Sequence, residues 1–270
     1  MKYDKIALFT DLDGTLLNNR RQVSEENLQA LARFTAEGGL FGISTGRAPS
    51  NALDVLPPLP INTWSVFLNG AESYHFQKQK AGTAITLPKE QLLSLSTWVL
   101  ETFPQVNVQI CAVDQLLFLS DPAYEDRDFV DTHQPMINAS LPEAMDHDWL
   151  KILFSGPREI LEKISAKARQ ERISEEADMV YTTYTYLEFL PKNTNKGNCL
   201  HDLRQQPELN GRTFIAIGDY SNDLELLQEA DVAVAVANAL PEVKTIADFI
   251  TRSNDEHALA DLIENIIPKL

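Results

Sequence analysis

The sequence predicts an α/β fold, a doubly wound, mainly parallel core sheet interrupted by an inserted α+β module. Three observations predict it. The first 70 residues alternate short apolar runs with amphipathic stretches, the last 60 repeat that style, and residues 83–186 between them differ in character. Near-continuous apolar strands separated by amphipathic helices mark parallel βαβ units, because such strands are covered on both faces. The two ends, residues 1–82 and 187–270, therefore read as one core split by the insertion.

KIALFT is the first strand. SEENLQALARFTAEGG has helical spacing at Leu28, Leu31, Ala32 and Phe34, with Ser24 as N-cap and Gly38-Gly39 as the stop. LFGIST is a second strand, PSNALDVL a short helix before the Pro-rich PPLPIN, and WSVFLNG a third strand. In the insertion, KEQLLSLSTWVLETF is helical, VNVQIC and LLFLS are strands, and WLKILFSG followed by PREILEKISAKARQE is strand then helix. MVYTTYTYLEFL alternates polar and aromatic residues as one half-exposed strand does. This pattern implies an open antiparallel sheet with helices on one face. The core resumes with FIAIGD, the helix NDLELLQEA, the strands DVAVAV and DFIT, and the closing helix EHALADLIENII. The chain contains no internal repeat and no low-complexity segment.

The net charge of −16 argues against nucleic acid or an anionic membrane as partner, since both require a basic surface. A small anionic substrate stays compatible, because a local cation can override the global field. Two cysteines, Cys111 and Cys199, form no disulfide framework and read as buried thiols. The start MKYDKIALFTDLDG lacks the pattern of a signal peptide, and no apolar run approaches membrane-spanning length, so a soluble cytoplasmic protein is expected. Residues 83–186 hold 17 acidic against 8 basic residues, more than half of the net negative charge.

Ligands of open α/β sheets bind beyond the carboxyl ends of the strands. Four strand ends here carry polar clusters: Asp11-Leu12-Asp13-Gly14-Thr15, Ser44-Thr45-Gly46-Arg47, Asn69-Gly70 and Gly218-Asp219-Tyr220-Ser221-Asn222-Asp223. In a parallel sheet they converge on one rim, which gathers Asp11, Asp13, Asp219 and Asp223. Carboxylates so gathered repel, and a bound cation relieves them. All-oxygen ligands with room for substrate oxygens suit Mg²⁺ better than Ca²⁺. Gly14 and Gly46 permit tight turns whose N–H groups can face an anion, and Thr15 and Thr45 add hydroxyl donors. Lys196, in PKNTNKGNCL, offers an ammonium for phosphoryl oxygens.

DLDGTLL, STGR, TNKG and GDYSND, in that order, resemble the four motifs of the haloacid dehalogenase (HAD) superfamily of phosphotransferases. The ending GDYSNDLELLQEADVAVAVANALPEVKTIAD, with the insertion between the second and third motifs, resembles its Cof-type branch, subfamily IIB with a C2B cap. The resemblance implies a Rossmann-like core, with residues 83–186 as the cap, and a Mg²⁺-dependent phosphatase acting on a small phosphorylated metabolite, with sugar phosphates foremost. It makes Asp11 the nucleophile that forms an aspartyl-phosphate and Asp13 the general acid and base, whose backbone carbonyl also ligates the metal. Lys196 screens the anions. Thr45, Gly46, Lys196 and Asn222 bind the phosphate; Asp219 ligates Mg²⁺ directly, and Asp223 acts through water or orients Lys196.

Other readings stand beside this one. Arg47 either pairs with an acid behind the site or touches substrate; Asn69 is a site residue or a turn residue; Tyr220 shapes the pocket or packs. A phosphomutase would use the same aspartate pair, but only the helix-forming SEENLQALARF follows the first motif, where small-capped mutases insert a cap. A non-catalytic phosphometabolite-binding protein would tolerate loss of Asp11, Asp13 or Lys196, and a dehalogenase would not need Asp13. A monomer or weak homodimer is expected. The acidic run DPAYEDRDFVD at 121–131 leads to the expectation that monophosphates are preferred over bisphosphates.

Overall fold

The computed structural model describes residues 1–49, 52, 56–113, 115–120 and 137–270. The short helix expected over PSNALDVL falls largely, and the acidic run 121–131 wholly, outside the described residues. By internal contacts the chain divides into two units, Met1–Thr83 with Asn195–Leu270, and Ala84–Thr194.

In chain order the first unit begins with β1 (Ile6–Thr10), α1 (Glu25–Ala36), β2 (Leu40–Ile43), β3 (Trp64–Phe67), β4 (Glu72–His75) and β5 (Lys80–Ala84). The second unit contributes α2 (Lys89–Thr102), β6 (Asn107–Ala112), β7 (Leu116–Phe118), β8 (Ile137–Asn138), β9 (Trp149–Ser155), α3 (Arg158–Gln170), β10 (Ala177–Thr183) and β11 (Tyr186–Pro191). The first then resumes with α4 (Lys196–Leu203), β12 (Thr213–Gly218), α5 (Leu224–Glu229), β13 (Val232–Ala235), α6 (Pro241–Ile246) and β14 (Phe249–Ile250), followed by a helical segment from Ala258.

Five strands in the order β14-β13-β12-β1-β2 form a wholly parallel sheet. β1 and β12 are its centre, and the chain winds outward from them in opposite directions. The carboxyl ends of these two strands are thus the topological switch point, where a crevice opens in doubly wound sheets. Their side chains are almost entirely buried, as the apolar runs KIALFT and FIAIGD require. α1 starts at Ser24, whose hydroxyl accepts from the Asn27 N–H, as expected of its N-cap. Its buried face is Asn27, Ala30, Leu31 and Phe34; Leu28 is only partly buried and Ala32 is exposed. Asn27 replaces an apolar residue because its Oδ1 accepts from the Ala260 N–H.

The third strand differs from expectation. β3 touches the main sheet through a single parallel bridge, Ser44 to Val66, and otherwise belongs to an antiparallel sheet with β4 and β5. Side chains take the places of ladder partners: Phe41 N–H donates to Asn62 Oδ1 (2.7 Å) and Ile43 N–H to Ser65 Oγ (3.1 Å).

In the second unit a six-stranded sheet runs β10-β11-β9-β6-β7-β8, antiparallel except for β7 with β8. Leu92, Leu95 and Val99 of α2 and Leu161, Ile164 and Ala168 of α3 share one buried cluster with Val108, Ile110, Ile152, Phe154, Leu187 and Phe189. Helices on one face of an open sheet are thus what forms. MVYTTYTYLEFL, read as one strand, is two: β10 and β11 pair antiparallel around the turn at Tyr184 and Thr185. Thr183-Tyr184-Thr185-Tyr186 alternates across the turn itself, so no break in period marks the reversal there. β11 pairs with β9, so the second unit extends to Thr194 rather than to residue 186, where the sequence reading divides the chain.

Candidate active site

The polar clusters at the strand ends of the first unit do converge. Asp11 follows β1 directly, and its N–H donates to Ile217 O of β12 (3.0 Å), which extends the ladder into the site. Its carboxylate is 9% exposed. Lys196, the first residue of α4, is wholly buried, and its Nζ donates to Asp11 Oδ1 (2.7 Å) and to Asp223 Oδ1 (2.6 Å). Asp223 is wholly buried too; its Oδ2 accepts from the Asp219 and Tyr220 N–H groups (2.9 and 3.1 Å), closing the turn after β12. Asp219 Oδ1 accepts from Thr15 Oγ1 (2.8 Å), so that hydroxyl faces a carboxylate rather than standing alone.

Two glycines are dictated by this packing. Gly14 has φ +82°, and a Cβ there would meet Asp219 Oδ2 at 2.5 Å. Gly70 has φ +103°, and a Cβ would lie 2.2 Å from Asn195 O, the residue that N-caps α4 through its Oδ1. The Asn69-Gly70 turn thus packs against the backbone that carries Lys196.

Thr45 is buried; its O accepts from Asn69 N–H and its Oγ1 from Arg47 N–H (3.2 Å). A Cβ at Gly46 would lie 3.1 Å from Asn69 Oδ1. Asn222 Nδ2 donates to that same oxygen (3.0 Å), so Asn69 ties the second cluster to the fourth. Asp13 is paired with Arg47 in a two-pronged contact, Nε to Oδ2 (2.8 Å) and Nη2 to Oδ1 (2.7 Å). Arg47 thus pairs with an acid, but with Asp13 of the site itself rather than with one behind it. Tyr220 is 41% exposed, which excludes a core role. Asn238 was missed by sequence reasoning; its Nδ2 donates to Gly14 O and its Oδ1 accepts from Asn254 N–H, and its place in VANALP gives no signal of this.

Electrostatics explain why the lysine is there. Burial by itself would favour a neutral Lys196 amine, but Asp11 and Asp223 outweigh it and hold the ammonium charged, with its pKa raised. Burial raises the Asp11 carboxyl well above the ordinary carboxylate range; Lys196 opposes this, while Asp223, Asp219 and Asp13 reinforce it. Asp219 is pushed up to about 6 by burial, against the Thr15 hydrogen bond and with further push from Asp223. One cation therefore serves three gathered carboxylates. Asp11, Asp219 and Asp223 each offer an oxygen within 4.8 Å of the others. An all-oxygen, carboxylate-rich set of this kind fits a hard divalent cation. Asp13 is not in that trio, and its carboxylate is taken by Arg47.

Both cysteines are buried and unpaired with each other, and burial pushes the Cys199 thiol up to about 12. Among the described residues no helix is long and apolar enough to cross a membrane.

A parallel α/β sheet that gathers aspartates at its switch point, with a buried lysine answering them, is a site built to meet an anion. The chain belongs to the haloacid dehalogenase-like hydrolase family, whose model matches residues 8–263. It is 29% identical over 289 residues to phosphatase YwpJ of Bacillus subtilis, covering 95% of this chain and 98% of that one. It is 25% identical over 263 residues to the B. subtilis 5-amino-6-(5-phospho-D-ribitylamino)uracil phosphatase YcsE, covering 94% and 93%. The solved HAD subclass IIB sugar phosphatase BT4131 shares its fold with a TM-score of 0.78 at 17% identity, covering 96% of this chain and 97% of that one.

Proposed function

We propose that this protein hydrolyses small phosphomonoesters with hydroxyl-rich bodies through an aspartyl-phosphate, with Mg²⁺ as cofactor. The observation that carries the reading is the buried Lys196 ammonium bridging Asp11 and Asp223 inside a three-carboxylate cluster. A fully buried lysine between two acids is expensive as a stabilising device, and its geometry suits a site that must admit a further anion.

Asp11, Asp219 and Asp223 would hold the metal; when bound, it supplies positive charge that lowers the repulsion between Asp11 and an incoming phosphate. The residues of the chain do the rest. With Oδ1 on Lys196, Asp11 has Oδ2 to attack phosphorus as the bond to the leaving oxygen breaks. Asp13 delivers a proton to that oxygen, releasing the alcohol. Water then attacks the aspartyl-phosphate, Asp13 takes its proton, and inorganic phosphate leaves as the Asp11 carboxylate is restored. Thr45, Gly46 and Asn222 bind the phosphoryl oxygens, and Lys196 neutralises them. We place the cap function on the second unit.

The relative named for a phosphoribityl substrate supports a polyol monophosphate, and the chain's acidic balance supports monophosphates over bisphosphates. Asp11→Asn tests the whole reading: phosphate release from an aryl phosphate should fall by several orders of magnitude in a variant that still unfolds cooperatively on heating. A folded variant that still turns over would exclude Asp11 as nucleophile.

A further inference from the structure

We propose that Arg47 is a positioning residue for leaving-group protonation, acting through Asp13. The inference rests on the phosphatase reading above. Asp13 lies where the chain turns away from β1, immediately before Gly14, and its side chain is 53% exposed. An aspartate so exposed samples several side-chain wells, and each well aims the carboxyl elsewhere. The guanidinium removes that freedom. Nε and Nη2 hold Oδ2 and Oδ1 at 2.8 and 2.7 Å, and this planar fork fixes the direction of the carboxyl group.

The fork is itself held. The Arg47 side chain is only 18% exposed, its N–H donates to Thr45 Oγ1, and its O accepts from Leu68 N–H (3.0 Å). The short segment after β2 therefore carries both a residue assigned to the phosphate, Thr45, and the one that aims Asp13. During phosphoryl transfer a protonated Asp13 needs one oxygen for the leaving group. The other stays on Arg47. The proton passes to the leaving oxygen as its bond to phosphorus breaks and the Asp11–phosphorus bond forms, so the residue that receives the ion-paired carboxylate afterwards is already in place. Lysine, a point charge on a flexible stem, would keep the attraction and lose the direction.

The test uses leaving-group dependence, which a merely structural role would not move. kcat/KM is measured for a series running from nitrophenyl phosphates, whose leaving groups depart without a proton, to alkyl phosphates such as glycerol phosphate, whose leaving groups need one. Wild type, Arg47→Gln, Arg47→Lys, Asp13→Asn and the double variant are compared, with thermal unfolding as the folding control. R47Q should lose about 10- to 100-fold more on alkyl than on nitrophenyl esters, the range of a misdirected general acid. R47K should recover part of that loss, and the double variant should lose little beyond D13N on the alkyl esters. Equal loss by R47Q across the series would overturn the proposal and point to direct phosphate contact. Additive losses in the double variant would overturn it too. If D13N itself shows no leaving-group dependence, the acid role of Asp13 fails, and the Arg47 inference falls with it. Should R47Q not fold, R47K and its double with D13N carry the same comparison.

Discussion

Replacing Lys196 by methionine probes the centre of the site. Methionine keeps most of the side-chain volume and removes the charge. In the intact protein the ammonium is 2.7 Å from Asp11 and 2.6 Å from Asp223. At an effective dielectric constant of about 20, each contact is a gross attraction of roughly 6 kcal/mol, or about 12 together. Desolvating the ammonium cancels most of this, and removing one partner of a buried ion pair has a net cost of about 3–5 kcal/mol. Thermal unfolding of the first unit in chelator should therefore drop by roughly 10 °C, at about 2–4 °C per kcal/mol for a unit of this size. Turnover should be lost. The informative measurement is the difference in Tm between chelator and excess Mg²⁺. In the variant a bound divalent ion would take over the neutralisation of Asp11 and Asp223 that the ammonium supplies in the wild type, so its stabilisation by Mg²⁺ should exceed that of the wild type. A variant as stable as wild type in chelator, or one insensitive to Mg²⁺, would refute the view that Lys196 is the counter-charge of this cluster.

Carboxylates perturbed by burial carry three further outcomes. Chelation should abolish activity and Mg²⁺ restore it, with Ca²⁺ failing; calorimetric Mg²⁺ affinity should weaken as pH falls through about 6, because Asp219, raised to about 6, must be ionised to bind. Undiminished affinity at pH 5 would remove Asp219 from the ligand set. Glu72, at the start of β4, has its carboxyl raised by burial from 4.5 to about 7. Between those values the folded protein keeps a proton that the unfolded chain has released, so this group lowers stability as pH rises through that window, and the loss persists above it. Glu72→Gln should raise Tm at pH 8 and leave it nearly unchanged at pH 4; equal effects at both would show that the cause is packing.

What the sequence reveals of this site follows from where its physics is local. Asp11, Asp13, Asp219 and Asp223 were legible because polar residues directly after apolar runs mark strand ends, and a parallel sheet must bring such ends together. The two long helices of the second unit, α2 and α3, were legible in the sequence, whereas its one-turn helices Leu141–Ala144 and Ile173–Glu176 were not. The β10–β11 reversal was not legible either, because Tyr184 and Thr185 carry no glycine or proline and the alternation passes through them. Nor was the detachment of β3, which depends on Asn62 and Ser65 taking backbone bonds at 21- and 22-residue separations. Asn238 and the Asp13–Arg47 fork are likewise pairings between distant positions that composition and periodicity do not encode.

Local rules are broken at the places that converge on Asp11. Lys196 stands at the first position of α4, where the helix macrodipole disfavours a cation by about 0.3–1 kcal/mol. Leu68, Asn69 and Gly70 adopt φ values of +50°, +54° and +103°; for the two non-glycine residues, this left-handed backbone costs of order 1–3 kcal/mol each. Each violation is held by a contact that leads back to the site. The lysine is held by two carboxylates, Leu68 N–H by Arg47 O, Asn69 N–H by Thr45 O, and the Asn69 side chain by Asn222. A stable core has no use for such tensions, and apolar residues at Lys196 and Asp223 would pack more favourably. Left-handed backbone also occurs at Arg21, Gln79, Arg172, Asn193 and His257, and Lys151–Glu188 is a second buried ion pair; what sets the switch point apart is that backbone strain and buried charge coincide there on the same few residues, a physical reason to locate the chemistry at that place.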